Sequence, residues 1–287
     1  MWFGEVDRRL LCLAACAFWC GWCEEARAHG AYHELLTRLN VEITARPTEA
    51  LLYLRRAEIQ IEHTEWRSAL IDLELADRLT NDQVASEFLR ARALVEGEQF
   101  AAAKTSLDAY IGTHPGESQP LIHRARVLSA LSQGEEALED YRRAFDLLKT
   151  LEPDHVFEFA ALQKAVRGSE GALAILEEGI QRLGAMPVLV ERAAEIEFEL
   201  GRSDAALNRV FSAMESATLK TPWQTRYAIL LARAGRIQES QKIWQVILDH
   251  IAGLPPQERG SHAMSMLSEQ ARQAQAALIA LSQNPPH

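Results

Sequence analysis

The chain has 287 residues, of which 48% are hydrophobic, only ten are proline and fifteen are glycine, so an extensively disordered protein is excluded. A formal net charge of −10 at pH 7 argues against a general nucleic-acid-binding role, which usually requires a basic face. All four cysteines lie within the first 23 residues, which excludes a disulfide framework in the remainder of the chain.

The N-terminal segment has the pattern of a secretory signal. Arg8 and Arg9 are followed by fourteen uncharged residues, 10–23, fewer than the roughly 20 that a membrane-spanning helix needs. The sequence Ala-Arg-Ala at positions 26–28 then matches the small-x-small pattern of a signal-peptidase site. We therefore predict that residues 1–28 are a signal peptide, that His29 begins the mature chain, and that the protein is exported, to the bacterial periplasm.

Two other interpretations of this segment stay open. Residues 13–16, Leu-Ala-Ala-Cys, are typical of a lipoprotein box, which would leave a lipid anchor on Cys16, and the segment could also remain as an uncleaved anchor. The spacing of Cys20, Cys23, His29 and His33 is of zinc-ligand type. Its two halves are too close for a classical zinc finger, and cleavage would remove both cysteines, so we predict no metal site.

A pair of small residues recurs along the chain. Ala125 and Ala137 are twelve residues apart, with the polar break Ser-Gln-Gly at 132–134 between them. The first residues of successive pairs are 34, 34, 35, 34 and 34 residues apart. This period is typical of a helical-repeat solenoid in which each repeat has two helices, A and B. A small residue on each helix allows the two to pack closely. The six pairs are Ala57/Ala69, Ala91/Ala103, Ala125/Ala137, Ala160/Ala172, Ala194/Ala206 and Ala228/Ser240.

Larger residues accompany these pairs at helical spacing, and together they resemble the tetratricopeptide repeat. Helix B of the first unit carries Trp66, Leu70 and Leu73 before Ala76, and Pro115 matches the proline that often closes a unit of that family. The resemblance covers roughly residues 50–252. It implies an all-α fold, a right-handed superhelical solenoid of antiparallel helix pairs, and a role in protein–protein interaction.

The expected organisation has four parts. Residues 1–28 are the signal, residues 29–49 hold one helix that acts as an N-terminal half-repeat, and residues 50–252 form six repeats. Residues 253–287 form a capping helix and tail, because Met264, Leu267, Ala271, Ala274, Leu278 and Leu281 make one narrow apolar seam. We predict that this seam packs behind Trp244, with a dimer contact as the alternative.

Charged residues recur at fixed places in the repeats. Arg56, Arg90 and Arg124 each precede the small residue of helix A, where the family more often has an apolar residue. Asp72 and Asp140 each lie three residues beyond the small residue of helix B, so we predict ion pairs from Arg56 and Arg124 to these aspartates, with ligand contact as the alternative. Ser106 occupies that place in the second repeat, so Arg90 needs another partner.

The fourth repeat departs from the others. Its spacing is one residue longer, and its turn, residues 167–171, contains Gly168 and Gly171 near the start of helix B. Glycine lowers helix stability by roughly 0.5–1 kcal/mol relative to alanine. We predict a bend or a looser joint at this point.

Known catalytic motifs are absent from the sequence. It contains no glycine-rich phosphate loop, no His-Glu-x-x-His and no Gly-x-Ser-x-Gly. Five histidines lie within the repeats, each in a different one: His63, His114, His123, His155 and His250. We therefore predict a non-enzymatic protein that uses no cofactor.

The resemblance to the tetratricopeptide repeat implies a monomeric adaptor that binds an extended peptide or a partner helix on its concave face. Helix A residues beside the buried stripe should line that face. The alternative is a structural subunit of a larger envelope complex that uses the convex face or the final helix. The predicted peptide-binding residues are Leu54, Arg55, Glu58, Phe88, Arg92, Ile122, Arg126, Glu195 and Arg226, with Glu158 and Glu191 beside them.

Overall fold

The computed structural model describes residues 32–80 and 84–283. The predicted signal segment, its cleavage site and the predicted lipid anchor at Cys16 lie outside these residues. Within the described part of the chain, no helix combines the length and the apolar character needed to cross a membrane.

Helices account for all the regular secondary structure in residues 32–80 and 84–283. The first helix, α1, spans residues 32–45. The remaining helices are α2 (Ala50–Glu62), α3 (Trp66–Leu79), α4 (Val84–Glu96), α5 (Phe100–Thr113), α6 (Ser118–Ala130), α7 (Gly134–Leu147), α8 (Pro153–Arg167), α9 (Ser169–Leu183), α10 (Pro187–Glu199), α11 (Ser203–Ser216), α12 (Lys220–Arg233), α13 (Ile237–Gly253), α14 (Pro256–Arg259) and α15 (His262–Gln283).

The predicted close crossings are confirmed. Every one of the twelve residues in the six small-residue pairs is buried, with at most 5% of its surface exposed. In the sixth pair the Ser240 hydroxyl donates a hydrogen bond of 2.7 Å to the carbonyl oxygen of Ala228, so the polar side chain is satisfied inside the crossing. The α2–α3, α4–α5, α6–α7, α8–α9, α10–α11 and α12–α13 pairs are therefore built on one register.

The turn inside a repeat uses one residue with a left-handed backbone. In five repeats this residue lies seven positions after the small residue of helix A: Thr64, Glu98, Ser132, Gly201 and Gly235, with φ between 55° and 75°. In the fourth repeat Gly168 alone, with φ of 83°, separates α8 from α9. Gly168 thus lies at the joint and not inside helix B, and its positive φ suits glycine better than other residues.

A second glycine of the fourth repeat sets the distance between its two helices. Gly179 of α9 is buried against Val156 of α8, and a Cβ atom at position 179 would lie only 2.5 Å from Cγ1 of Val156. Glycine at this position therefore permits a close approach of α8 and α9 that alanine would block.

The chain divides into two compact units. The first contains α1–α7 and ends at Leu147, and the second begins at Leu148 and contains α8–α15. The boundary therefore falls between the third and fourth repeats.

The final helix covers the end of the second unit. Ala271 and Leu278 of α15 are buried in a cluster with Trp244, Ile247 and Ile251 of α13. Met264, Leu267 and Ala274 pack around the same cluster, as the seam in the sequence predicts. Helix α15 therefore shields the apolar side of the last repeat from water.

Candidate functional site: the helix A face

In the first unit, helix A of each repeat lies beside helix A of the next. Helix α4 contacts both α2 and α6. Across these helices Arg92 of α4 pairs with Glu58 of α2 at 3.8 Å, and the Phe88 ring of α4 meets the His123 ring of α6 edge-on, with 5.2 Å between ring centroids. We call this surface of α2, α4 and α6 the helix A face.

Phe88 lies at the centre of a group of aromatic rings and is half-buried. Besides His123, it contacts Tyr110 of α5, with centroids 5.4 Å apart. The ring of His114, at the end of α5, also stacks on the Tyr110 ring, with 4.4 Å between the two centroids. Burial, followed by the nearby Glu117 carboxylate, raises the pKa of the Tyr110 hydroxyl above its usual value, so this ring remains neutral under ordinary conditions.

The other two apolar residues predicted for this face are covered to different extents. Leu54 is half-buried and packs against the core cluster that contains Ala57 and Leu73. Ile122 is a core residue with 1% of its surface exposed. Of the three repeat-equivalent positions 54, 88 and 122, only the first two present apolar surface.

The charges of the helix A face differ in their pairing. Arg55 is exposed and forms no ion pair or hydrogen bond with another described residue. The Arg92 side chain is 25% exposed and that of its partner Glu58 is 52% exposed. Arg126 is exposed, and Glu62 and Glu96 add exposed carboxylates at equivalent positions of α2 and α4. The surface is therefore mixed, with cations and anions alternating along it.

In the second unit, the predicted binding residues Arg226, Glu191 and Glu195 take part in ion pairs. Arg226 of α12 forms an ion pair with Glu191 of α10, and Glu195 forms one with Arg192 at 2.8 Å. Lys164 of α8 donates hydrogen bonds of 2.8 and 2.6 Å to Glu199 of α10, which lower the pKa of that carboxyl below its usual value. Internal pairing therefore neutralises much of the charge on this part of the second unit.

The predicted arginine–aspartate pairs are present and have a structural role. Arg56 donates hydrogen bonds of 2.7 and 2.6 Å to Asp72. Arg124 does the same to Asp140, at 2.6 and 2.7 Å, and the side chains of both aspartates are nearly buried, at 3% and 6% exposed. These two arginines are held inside the helix packing and do not present their charge to a ligand.

The arginine of the second repeat is held differently. Arg90 forms an ion pair with Asp77 of α3, the preceding helix, and approaches Glu87 to 3.7 Å. Its expected need for another partner is thus met from the neighbouring repeat.

His123 is the residue of this face that the sequence analysis missed. It lies 68 residues, two periods, after Arg55, so counting the repeat twice from Arg55 would have identified it. In residues 32–80 and 84–283, no group of three or more His, Cys, Asp or Glu side chains is placed to hold a metal ion.

Comparison with known proteins gives matches at the level of structure. A tetratricopeptide repeat protein from Parabacteroides merdae matches 89% of this chain and 95% of its own, at 13% identity and a TM-score of 0.50. A chain in the structure of Naa15/Naa10 bound to HypK-THB matches over 83% of this chain and 37% of its own, at 15% identity and a TM-score of 0.54. MamA matches 58% of this chain and 90% of its own, at 12% identity and a TM-score of 0.49.

No protein-family model matches the chain, and no curated protein sequence matches it. At these identities the structural similarity concerns the fold alone. The described chain has the fold of a tetratricopeptide-like array of antiparallel helix pairs.

Proposed function

We propose that the protein is a non-enzymatic adaptor that binds an extended peptide or a partner helix on the helix A face of α2, α4 and α6. The observation that carries the proposal is the half-buried Phe88 of α4, on the helix whose Arg92 pairs with Glu58 of α2, the helix that also carries the exposed Arg55. The family that the sequence resembles binds its partners on the corresponding surface.

The chemistry of this face favours a ligand with hydrophobic anchors and acidic flanks. Leu54 and Phe88 offer apolar contact, and Arg55 offers a guanidinium group that binds carboxylates well. Glu58, Glu62 and Glu96 lie among them and repel a purely acidic segment. Affinity should therefore depend more on the apolar anchors than on charge.

A screen of random peptides displayed on phage tests this proposal. We expect the wild-type protein to enrich peptides with large apolar residues and acidic flanks, and Arg55→Glu to weaken their binding. Lys149→Glu makes the same change of charge in an exposed loop and should leave binding unchanged. Enriched peptides that bind Arg55→Glu and wild type equally would place the binding surface elsewhere.

The proposal also includes export. The pattern of residues 1–28 supports removal of a signal before His29, and N-terminal sequencing of the native protein should then return His29. A lipid-modified Cys16 would identify the anchored alternative. A chain that begins at Met1 in the cytoplasm would contradict export.

A structural role in a larger assembly is the second candidate. It is favoured by Met266 of α15, an apolar side chain that is 60% exposed. Light scattering on the purified protein separates the two. We expect a monomer, and a stable assembly that Met266→Glu dissociates would favour the structural role.

A further inference from the structure

A polar cavity lies at the end of the second unit, between α13 and α15. It has a volume of about 610 Å³, within the range of roughly 300–1,000 Å³ common for small-molecule sites. It lies far along the chain from the helix A face, and no part of the proposed function uses it. Its lining residues are Gln245, Leu248, Asp249, Ile251, Ala252, Arg259, Ser265, Ser268 and Arg272.

Two arginines give this cavity a positive charge within an acidic protein. Arg259 donates a hydrogen bond of 3.2 Å to the carbonyl oxygen of Ala252, which fixes its guanidinium at the wall and leaves its other N–H groups available. Arg272 forms no ion pair or hydrogen bond with another described residue. Asp249 accepts a hydrogen bond of 2.8 Å from the Gln245 amide. Two cations and one anion leave the lining with one net positive charge.

The other lining groups come from two different walls. Ser265, Ser268 and Arg272 follow one another at spacings of three and four residues, so they lie on one side of α15 and turn their polar groups to the same space. The opposite wall, from α13, contributes the apolar side chains of Leu248, Ile251 and Ala252. The cavity thus combines hydrogen-bond donors, one carboxylate and an aliphatic surface.

We propose that this cavity binds a carboxylate that carries a hydrogen-bond donor and an aliphatic group beside it, the chemistry of an α-amino acid, either free or at the end of a peptide. Arginine pairs with a carboxylate through two parallel hydrogen bonds, and the serine hydroxyls add donors. Asp249 accepts from the ligand's N–H groups, and the wall of α13 takes its side chain. The C-terminal acid of a peptide is a monoanion that cancels the net charge of the lining, and a free amino acid adds an ammonium group for which Asp249 is the acceptor. A phosphate dianion would leave an excess of negative charge beside Asp249.

The experiment is a titration of the purified protein followed by calorimetry and saturation-transfer NMR. The probes are L-leucine, the acetylated tripeptide Ala-Ala-Leu as its free acid, the same tripeptide as its amide, and inorganic phosphate. We expect saturable binding of leucine, of the tripeptide acid, or of both, and none of the tripeptide amide, which lacks the carboxylate. The relative affinity of leucine and the tripeptide acid identifies the source of the ligand.

Variants connect the binding to the cavity. Arg272→Gln changes a solvent-exposed side chain of the lining and should raise the dissociation constant at least tenfold without lowering the melting temperature. Arg38→Gln makes the same change of charge on helix α1 of the first unit and should have no effect. The proposal is overturned by saturable binding of phosphate alone, by no binding of either carboxylate, or by carboxylate binding that Arg272→Gln leaves intact.

Discussion

The two compact units contain the same three-helix junction with its charges exchanged. In the first unit Arg124 of helix A (α6) bonds to Asp140 of its own helix B and, at 2.7 Å, to Asp108 of the preceding helix B. In the second unit the arginine, Arg209, is on helix B (α11). It bonds at 3.0 Å to Glu197 of its helix A and at 2.9 Å to Glu177 of the preceding helix B.

The positions correspond closely. Asp140 and Arg209 each lie three residues after the small residue of helix B, and Asp108 and Glu177 each lie 32 residues before them. On helix A the charged positions differ by one helical turn. Arg124 lies one residue before the small residue of its helix, whereas Glu197 lies three residues after the small residue of its own. The repeat therefore fixes which three helices meet, while the chemistry that joins them can change.

A third version of this junction is apolar. At the junction of the sixth repeat, the positions equivalent to Asp108, Arg124 and Asp140 hold Phe211 of the preceding helix B (α11), Tyr227 of α12 and Ile243 of α13. The rings of Phe211 and Tyr227 meet with centroids 5.6 Å apart. Contact between aromatic rings can thus take the place of an ionic network at the same position in the fold, here with Phe211 still 43% exposed.

The largest expected effect comes from breaking the junction of the first unit. Arg124→Met removes both arginine hydrogen bonds from the Asp140 carboxylate, only 6% exposed, and leaves it Arg143 at 3.9 Å as its remaining cation. We expect a loss of about 3 kcal/mol in the free energy of unfolding, measured in urea. Arg124→Met combined with Asp140→Leu imitates the apolar junction and should recover most of that loss. A double variant as unstable as the single one would show that the ionic and apolar versions are not interchangeable.

A substitution at the crossing itself tests what all repeats share. Ala125→Leu adds volume at a position that is only 1% exposed between α6 and α7, and it should cost about 1–3 kcal/mol in unfolding free energy. Glu139→Leu adds a comparable side chain at an exposed position of α7 and should change stability little. Equal effects of the two substitutions would mean that the register of the repeat is wrong.

The turns inside the repeats offer a test with opposite signs in the two units. Ser132 of the first unit has φ of 62°, a strained value for a non-glycine residue, whereas the equivalent Gly201 has φ of 73°. We expect Ser132→Gly to raise the melting temperature and to add up to about 1 kcal/mol to the free energy of unfolding. Gly201→Ala should lower the melting temperature and reduce that free energy by about 1 kcal/mol. The same sign for both would contradict the role assigned to this turn residue.

The smallest expected effect is a pH dependence of the α5–α6 contact. Burial alone would raise the pKa of Asp108, but hydrogen bonds from Lys104 and Arg124 outweigh it and hold that pKa below its usual value. Because the folded-state pKa is the lower one, the stabilisation is present above about pH 4 and is lost as the pH falls through the folded-state value. We expect about 0.5 kcal/mol, since Asp108 is partly exposed.

This pH dependence is measured by urea unfolding at several values between pH 6 and pH 3. The wild type should lose slightly more stability over this range than Asp108→Asn does. Identical pH profiles for the two proteins would show that Asp108 contributes nothing to the contact.

Periodicity predicted the fold well because it depends on spacing alone. The small-residue pairs gave the register of all twelve repeat helices, and the same count predicted that Arg56 and Arg124 face Asp72 and Asp140. Spacing gives the direction of a side chain from its own helix, and these interactions need nothing more.

The candidate site was less predictable because exposure depends on the neighbouring helix. Leu54, Phe88 and Ile122 occupy one repeat position, yet Ile122 is buried and Phe88 is only half-covered. Phe88 is covered by Tyr110 and His123, whereas the positions equivalent to these around Leu54 hold Ala76 and Leu89. The large difference between the two places is Tyr110 against Ala76. The spacing of a repeat does not predict how large the side chains from neighbouring helices are, and those side chains decide how much of a residue is exposed.

The most direct test of the proposed adaptor function is Phe88→Ala, with melting temperature and affinity measured on the same preparation against a peptide selected on the wild-type protein. Phe88 contacts Tyr110 and His123, so some loss of stability is expected in either case. If Phe88 is the anchor, affinity of the folded protein should fall by about 2 kcal/mol or more, roughly 30-fold. A lower melting temperature with unchanged affinity of the folded protein would assign Phe88 to the core and contradict binding on the helix A face.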